Sequence, residues 1–469
     1  MTEAVSVPFV LFVLMAALAT LALLEHVVLP ALRVVASSSA EKLIEEVSAR
    51  LKIGIRPFQR TKRRVLIDRL LYDPRVQEAA RAFATAKKIP HEAAQAIIER
   101  YARETVPAFN AYLYFRIGYW IGRRVAQTLY RVRLGYVDSE GLAKIDPDAT
   151  VVFVMNHRSN MDYVLAGYLA ADQAALSYAV GEWARIWPLA ALIRSMGAYF
   201  VRRNSKDELY RRVLERYIAM ATQAGVPQAV FPEGGLTRDG LMREPRLGVV
   251  DYMLRGFWLD GERDLVFVPL GLNYDRVLED RTLLLSGDPN ARKPGRFWAA
   301  WNTLGFATNN LRLMLTSEWR RFGYACVNFG APVSMRDYCA LRGLDFQKLS
   351  GEERRRAIGD LGTHLMTAVG RIVPVVPVPL IASVLLNHDQ ERISELELKS
   401  GVEQLIERLE AAGAHVYIPR KDLDYAVTVG LRMLTLRRLV EEKDGLYAVR
   451  SIELPLIRYY ANSIAHLLR

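Results

Sequence analysis

Cysteine is nearly missing from this chain: Cys326 and Cys339 are the only thiols among 469 residues. Two thiols make no disulfide framework, and these two lack metal-ligand spacing. A structural zinc is therefore not implied, and a reducing compartment is the default. No G-x-x-x-x-G-K-[ST] run occurs, which excludes a nucleotide-binding P-loop. The chain has no internal repeat and no low-complexity tract. Helix-turn-helix, zinc-finger and aromatic RNA-binding patterns are missing too, so nucleic acid is not an expected partner. Charge is lacking altogether from Ala4 to Leu24. At helical rise such a run spans about 31 Å, close to the hydrocarbon thickness of a bilayer.

Elsewhere charge is plentiful and lopsided. Lys and Arg outnumber Asp and Glu to give a formal net charge of +12. That excess points to an anionic partner such as a lipid surface, a phosphorylated substrate or an acidic carrier protein. Only Glu3 precedes the uncharged run, whereas a cleaved secretory signal opens on Lys or Arg, so the run is expected to stay as an anchor. A buried hairpin helix, or one lying in the interface, is the plainer alternative. Arg33, Lys42, Arg50, Lys52, Arg56, Arg60, Lys62, Arg63 and Arg64 follow it. By the positive-inside tendency the bulk of the chain stays on the cytoplasmic face of its membrane, the inner one in a bacterium. The same cations suit anionic headgroups.

With about half its residues apolar and a quarter charged, the chain is expected to fold, and its length allows two or three domains. It is expected to divide into an anchor over 1–36, a helical region over 37–135, an α/β domain over 136–335 and a C-terminal helical region over 336–469. Prolines 57, 74, 90 and 107 punctuate the first helical region. Ala108 to Arg133 is amphipathic and rich in Tyr and Phe; it reads either as a helix against a bilayer or as one facing a core. Short apolar strands are expected at Thr150–Met155, Ala198–Val201, Gln228–Phe231, Leu265–Leu270 and Ala325–Phe329. Helical patterns around Tyr163–Ala171, Lys206–Ala224 and Leu247–Leu259 lie among them, an alternation that predicts an α/β layer structure. The last ninety residues read as a small helical bundle.

Four segments at or within those strands carry chemistry. Val151–Asp162 runs from a strand into a polar turn with His157 and, five positions on, Asp162. A histidine accepts a hydroxyl proton near neutral pH, and a nearby carboxylate fixes its tautomer and steadies the imidazolium. Ser159 with Asp162 also matches a helix capping box, a role compatible with the first. Gly197–Arg203 ends a strand on two arginines, which can present planar forks to a phosphate but, read alone, fit a solvated basic edge better. Val230–Gly240 contains Glu233, the pair Gly234–Gly235, Thr237 and Arg238, and reads either as an anion-binding loop or as a surface turn. Val266–Tyr274 has Pro269 at a strand position, the mark of an edge or a bulge, and the simplest role for it is to shape a pocket wall.

In this order and spacing the four segments resemble the glycerol-phosphate acyltransferase superfamily, whose blocks are H-x-x-x-x-D, G-x-x-F-[IV]-x-R, F-x-E-G and a strand with a central proline. The finer resemblance is to the membrane-bound, bacterial-type glycerol-3-phosphate acyltransferase branch. It rests on HRSNMDY, on GAYFVRR followed by NSKDELY, on EGG, on YDPRVQEAA from Tyr72, and on RYYANSIAHLL from Arg458. One departure stands out: Leu236 follows the glycines where the family usually has arginine, with Thr237 in its usual serine place and Arg238 matching the second arginine.

The resemblance implies a membrane-anchored α/β acyltransferase that esterifies the 1-hydroxyl of glycerol 3-phosphate. The donor would be acyl-CoA or an acyl-carrier protein, and neither cofactor nor metal is needed. His157 would be the general base, oriented by Asp162. Arg203, Glu233, Gly234 and Arg238 would bind the glycerol phosphate, with Thr237 in support, Arg202 either contributing or facing solvent, and Pro269 shaping the fourth block. Backbone donors near the glycine pair would steady the oxyanion. Leu236 keeps open another acceptor, dihydroxyacetone phosphate or a lysophospholipid. A silent membrane-surface scaffold holding anionic lipid is the non-enzymatic alternative.

Overall fold

The computed structural model describes residues 56–170, 175–181, 189–202, 205, 207–287, 322–388 and 390–468. The expected anchor at Ala4–Leu24 lies outside these, and so does Arg203. Among the described residues no helix is long and apolar enough to cross a membrane.

Eight strands form one mixed sheet: β1 (Arg131–Val137), β2 (Thr150–Met155), β3 (Ser177–Gly181), β4 (Tyr199–Val201), β5 (Gln228–Val230), β6 (Leu265–Tyr274), β7 (Tyr324–Phe329) and β8 (Val333–Ser334). Their order is β1-β7-β6-β2-β5-β3-β4, with β8 on the same side of β6 as β7. β2 runs parallel to both its neighbours, β5 and β6, and β3 runs parallel to β4 and β5. The carboxyl ends of β2, β3, β4, β5 and β6 therefore lie on one edge, where ligands gather in sheets of this kind.

Alternation along the strands sorts side chains onto two faces. Val151, Phe153 and Met155 of β2 enter one core, with Val268 and Leu270 of β6. Val152 and Val154 enter the other, with Leu265 and Phe267. The first face is covered by helices Tyr119–Leu129 and Met161–Ala170 and by the C-terminal helices Pro377–Asn387, Glu395–Ala411, Leu423–Leu436 and Leu454–Asn462. Helices Arg63–Leu71, Pro74–Lys87, His91–Thr105, Glu208–Gln223 and Gly351–Arg371 cover the second. The result is a three-layer α/β structure.

Three expectations are corrected. The Tyr- and Phe-rich stretch is helical only to Leu129; Arg131 then opens β1, so the sheet begins ahead of the expected boundary at 136. The C-terminal region is not purely helical. β9 (Ile393–Ser394), β10 (Val440–Lys443) and β11 (Leu446–Val449) make a small antiparallel sheet around an Asp444–Gly445 turn, both residues at positive φ. Pro269 lies in neither an edge strand nor a bulge, because β6 is central and buried throughout. It sits where pairing with β8 at Val266–Phe267 gives way to pairing with β7 from Leu270. Its carbonyl accepts from Gly330 N there, and a missing N–H on that side interrupts no ladder.

Candidate active site

β2 ends at Met155, and the next residue fastens the loop. Asn156 Nδ2 donates to Leu272 O at 2.9 Å, and its Oδ1 accepts from Leu272 N at 2.8 Å. The chain then turns through His157 into the helix that starts at Met161. His157 Nδ1 lies 2.9 Å from Asp162 Oδ2, and both side chains are buried. The same Oδ2 accepts from Arg158 N at 2.7 Å and Ser159 N at 2.9 Å, while Oδ1 accepts from the Tyr274 hydroxyl. An oxygen surrounded by donors is an acceptor, so the imidazole proton sits on Nδ1 and Nε2 keeps its lone pair. The expected capping bond and the expected orienting bond are made by one carboxylate.

The ring is held on its other sides too. His157 stacks on Phe231 with centroids 4.1 Å apart and meets Tyr163 edge-on at 5.4 Å. Glu279 grips the turn from β6's side, accepting from Ser159 Oγ at 2.8 Å and from Asn160 N and Nδ2. Burial raises the Glu279 carboxyl above its ordinary range. Arg158 is fully buried and donates to the carbonyls of Gly240 and Ser463, tying the turn to the loop after β5 and to the C-terminal segment.

That loop supplies the next group. Glu233 Oε1 accepts from His157 N at 3.2 Å, and burial pushes the carboxyl up to about 7 against the pull of Arg158. Thr237 N donates to His157 O at 3.2 Å, and Gly234 N to Phe231 O at 3.0 Å. Both N–H groups are committed inside the protein and do not serve an oxyanion. Thr237 Oγ1 is buried within its own turn, where it bonds to Leu241 O and accepts from Gly240 N.

A cavity of about 360 Å³ opens beside His157. Tyr163, Phe231, Gly234, Arg202, Arg211 and Arg246 are among its lining residues. Arg202 forks onto Glu104 at 2.8 and 2.6 Å between the rings of Tyr101 and Tyr210, which raises its pKa further. It neither reaches freely into solvent nor carries an uncompensated charge. Gly234 thus shares the cavity with His157, and Glu233 lies directly behind the histidine. Arg238 is exposed near Gly287 and does not line the cavity; Pro269 does not line it either. Leu236 packs against the core. Among the described residues no group of three or more His, Cys, Asp or Glu is placed to hold a metal ion.

Tyr274, Glu279, Arg158, Phe231 and Arg246 were not assigned from sequence. Tyr274, Arg158 and Phe231 lie inside the recognised blocks, so block membership was the available signal for them. Glu279 and Arg246 carry none.

Two family models match the chain: "Acyltransferase" over residues 136–273 and "Glycerol-3-phosphate acyltransferase C-terminal region" over 311–469. Among curated relatives, the glycerol-3-phosphate acyltransferase of Pseudomonas entomophila (strain L48) is 27% identical over 426 residues, covering 86% of this chain and 49% of that protein. That of Pseudomonas putida (strain W619) is 27% identical over 449 residues, covering 91% and 51%. The chain spans about half the length of the curated relatives it matches. Among solved structures, a 1-acyl-sn-glycerophosphate (LPA) acyltransferase from Thermotoga maritima aligns over 54% of this chain and 78% of that one, with 18% identity and a TM-score of 0.31.

Proposed function

We propose that this chain, which belongs to the glycerol-3-phosphate acyltransferase family, transfers a fatty acyl group from a thioester to the 1-hydroxyl of glycerol 3-phosphate. The observation that carries this reading is the buried His157–Asp162 pair beside a cavity with three arginines. His157 Nε2 takes the hydroxyl proton as that oxygen attacks the thioester carbonyl carbon. The tetrahedral intermediate collapses with cleavage of the C–S bond, and the imidazolium returns the proton to the departing thiolate. Asp162, held by two backbone N–H groups and by Tyr274, keeps the ring oriented and stabilises its cationic form.

A second cavity of about 230 Å³, lined by Tyr114, Ile121, Tyr163, Val164, Val180 and Ile193 among others, shares Tyr163 and Val180 with the first. It suits the acyl chain. On the helix Tyr119–Leu129, Trp120 and Val125 are exposed beside Arg123 and Arg124. Apolar side chains among cations suit the cytoplasmic surface of an anionic membrane, where an acyl product would be delivered. Acyl-CoA and an acyl-carrier protein are both donors compatible with this reading.

The test is acyl transfer by the detergent-purified protein, with palmitoyl-CoA and palmitoyl-carrier protein offered separately. Glycerol 3-phosphate, dihydroxyacetone phosphate and lysophosphatidate compete as acceptors. Lysophosphatidate formed from glycerol 3-phosphate is the expected product. Turnover only with another acceptor would move the substrate assignment and leave the chemistry.

A further inference from the structure

We propose that Arg246, assisted by Arg211, is the phosphate-binding group of the His157 cavity, replacing the arginine that Leu236 omits. The inference rests on the glycerol 3-phosphate reading and places the acceptor's phosphate, not the donor's, against these two residues.

The cavity is within the range of small-molecule sites, about 300–1,000 Å³. Its described lining contains Arg202, Arg211 and Arg246 and no carboxylate. A concave site with charge of one sign selects an anion. Of the three cations, Arg202 is neutralised by its fork onto Glu104. Arg211 is exposed, and its contact with Glu208 is long at 3.8 Å.

Arg246 is fixed to the catalytic loop at its backbone, where its N–H donates to Pro232 O at 2.6 Å. Its side chain then passes over Gly234. A Cβ built on Gly234 would lie 2.5 Å from Arg246 Cδ and 3.2 Å from its Nε. The bare glycine is thus the channel through which the arginine stem runs, beside the loop on whose Phe231 the His157 ring stacks. By contrast, Leu236 is half-buried and packs against the core, and Arg238 lies outside the cavity lining. An arginine that lines the His157 cavity thus lies ten positions further along the chain than Leu236.

The test is calorimetric titration of the full chain in detergent with glycerol 3-phosphate, inorganic phosphate and CoA, applied to the wild type and to Arg246→Gln, Arg246→Lys and Gly234→Ala. Loss of a charge-assisted phosphate bond should raise the glycerol 3-phosphate Kd about 10- to 100-fold in Arg246→Gln. Arg246→Lys should recover part of the loss. Gly234→Ala should also weaken glycerol 3-phosphate binding, through the displaced stem and through strain at its positive φ, and CoA binding should change in none of them. An unchanged Kd in Arg246→Gln overturns the inference, and so does a loss confined to CoA or a wild type that binds no phosphate compound. Acyl transfer to glycerol 3-phosphate by the same wild-type preparation judges the underlying reading separately. Turnover with a KM indifferent to Arg246 removes this inference and leaves that reading.

Discussion

Four donors converge on the Asp162 carboxylate, and they come from two directions. His157 Nδ1, Arg158 N and Ser159 N arrive from its own turn, and Tyr274 arrives from the end of β6. The local pair was legible: a turn that starts a helix puts an aspartate in its first turn beside a histidine five positions back. The distant donor was not, since only the neighbouring positions of β2 and β6 bring Tyr274, and with it the acceptor Glu279, to the same turn. Glu233 is the residue whose chemistry is most altered by that crowding. Its folded pKa, about 7, lies above the ordinary 4.5, so folding disfavours its ionised form. Stability from this group is full below the ordinary value and is lost as pH rises toward 7 and past it, by at most on the order of 3 kcal/mol. Glu233→Gln keeps an acceptor for His157 N and cannot ionise. The variant should lose less stability than the wild type between pH 5 and pH 8 in a melting series; parallel curves would mean that Glu233 is not the titrating group.

At the scale of elements, β2 was legible to the residue because Thr150–Met155 is buried on both faces and reads as an unbroken apolar run. The Glu208–Gln223 helix was nearly so, with Asp207 capping Tyr210 N. β1 was missed because an exposed edge strand alternates Arg131, Arg133 and Gly135 with apolar residues, and its neighbouring aromatic helix dominated the pattern. The β10–β11 hairpin carried its own signal, an Asp-Gly pair between short alternating runs, which the helical texture around it masked. β6 extends past its expected end at Leu270 by pairing Leu270–Tyr274 with β7, and at Gly271 another segment crosses it closely. A Cβ there would stand 2.3 Å from Ile372 O. Main chain cannot step aside as a side-chain tip can. Gly271→Ala should therefore cost about 1–3 kcal/mol through overpacking, read as a lowered urea midpoint with an unchanged m-value. An unshifted midpoint would mean that the crossing is looser than the structure places it.

Across the whole molecule, the site is assembled from parts far apart in sequence. The carboxyl ends of β2, β5 and β6 bring His157, Glu233 and Tyr274 together, while Arg202 follows β4 at the cavity's far wall. The C-terminal region, which shows no catalytic signature in its sequence, braces this edge. Ser463 accepts from Arg158 through its carbonyl and from Asn273 through its hydroxyl, and Asn462 donates to Asp239 O. Tyr460 and Arg437 close on Asp280 just beyond β6. The most direct measurement is the initial rate of lysophosphatidate formation by His157→Ala against wild type, at saturating glycerol 3-phosphate and with matched circular dichroism. Loss of a general base predicts a fall of about 10²- to 10⁴-fold. A rate within a few-fold of wild type would contradict the account, because another group would then be taking the hydroxyl proton.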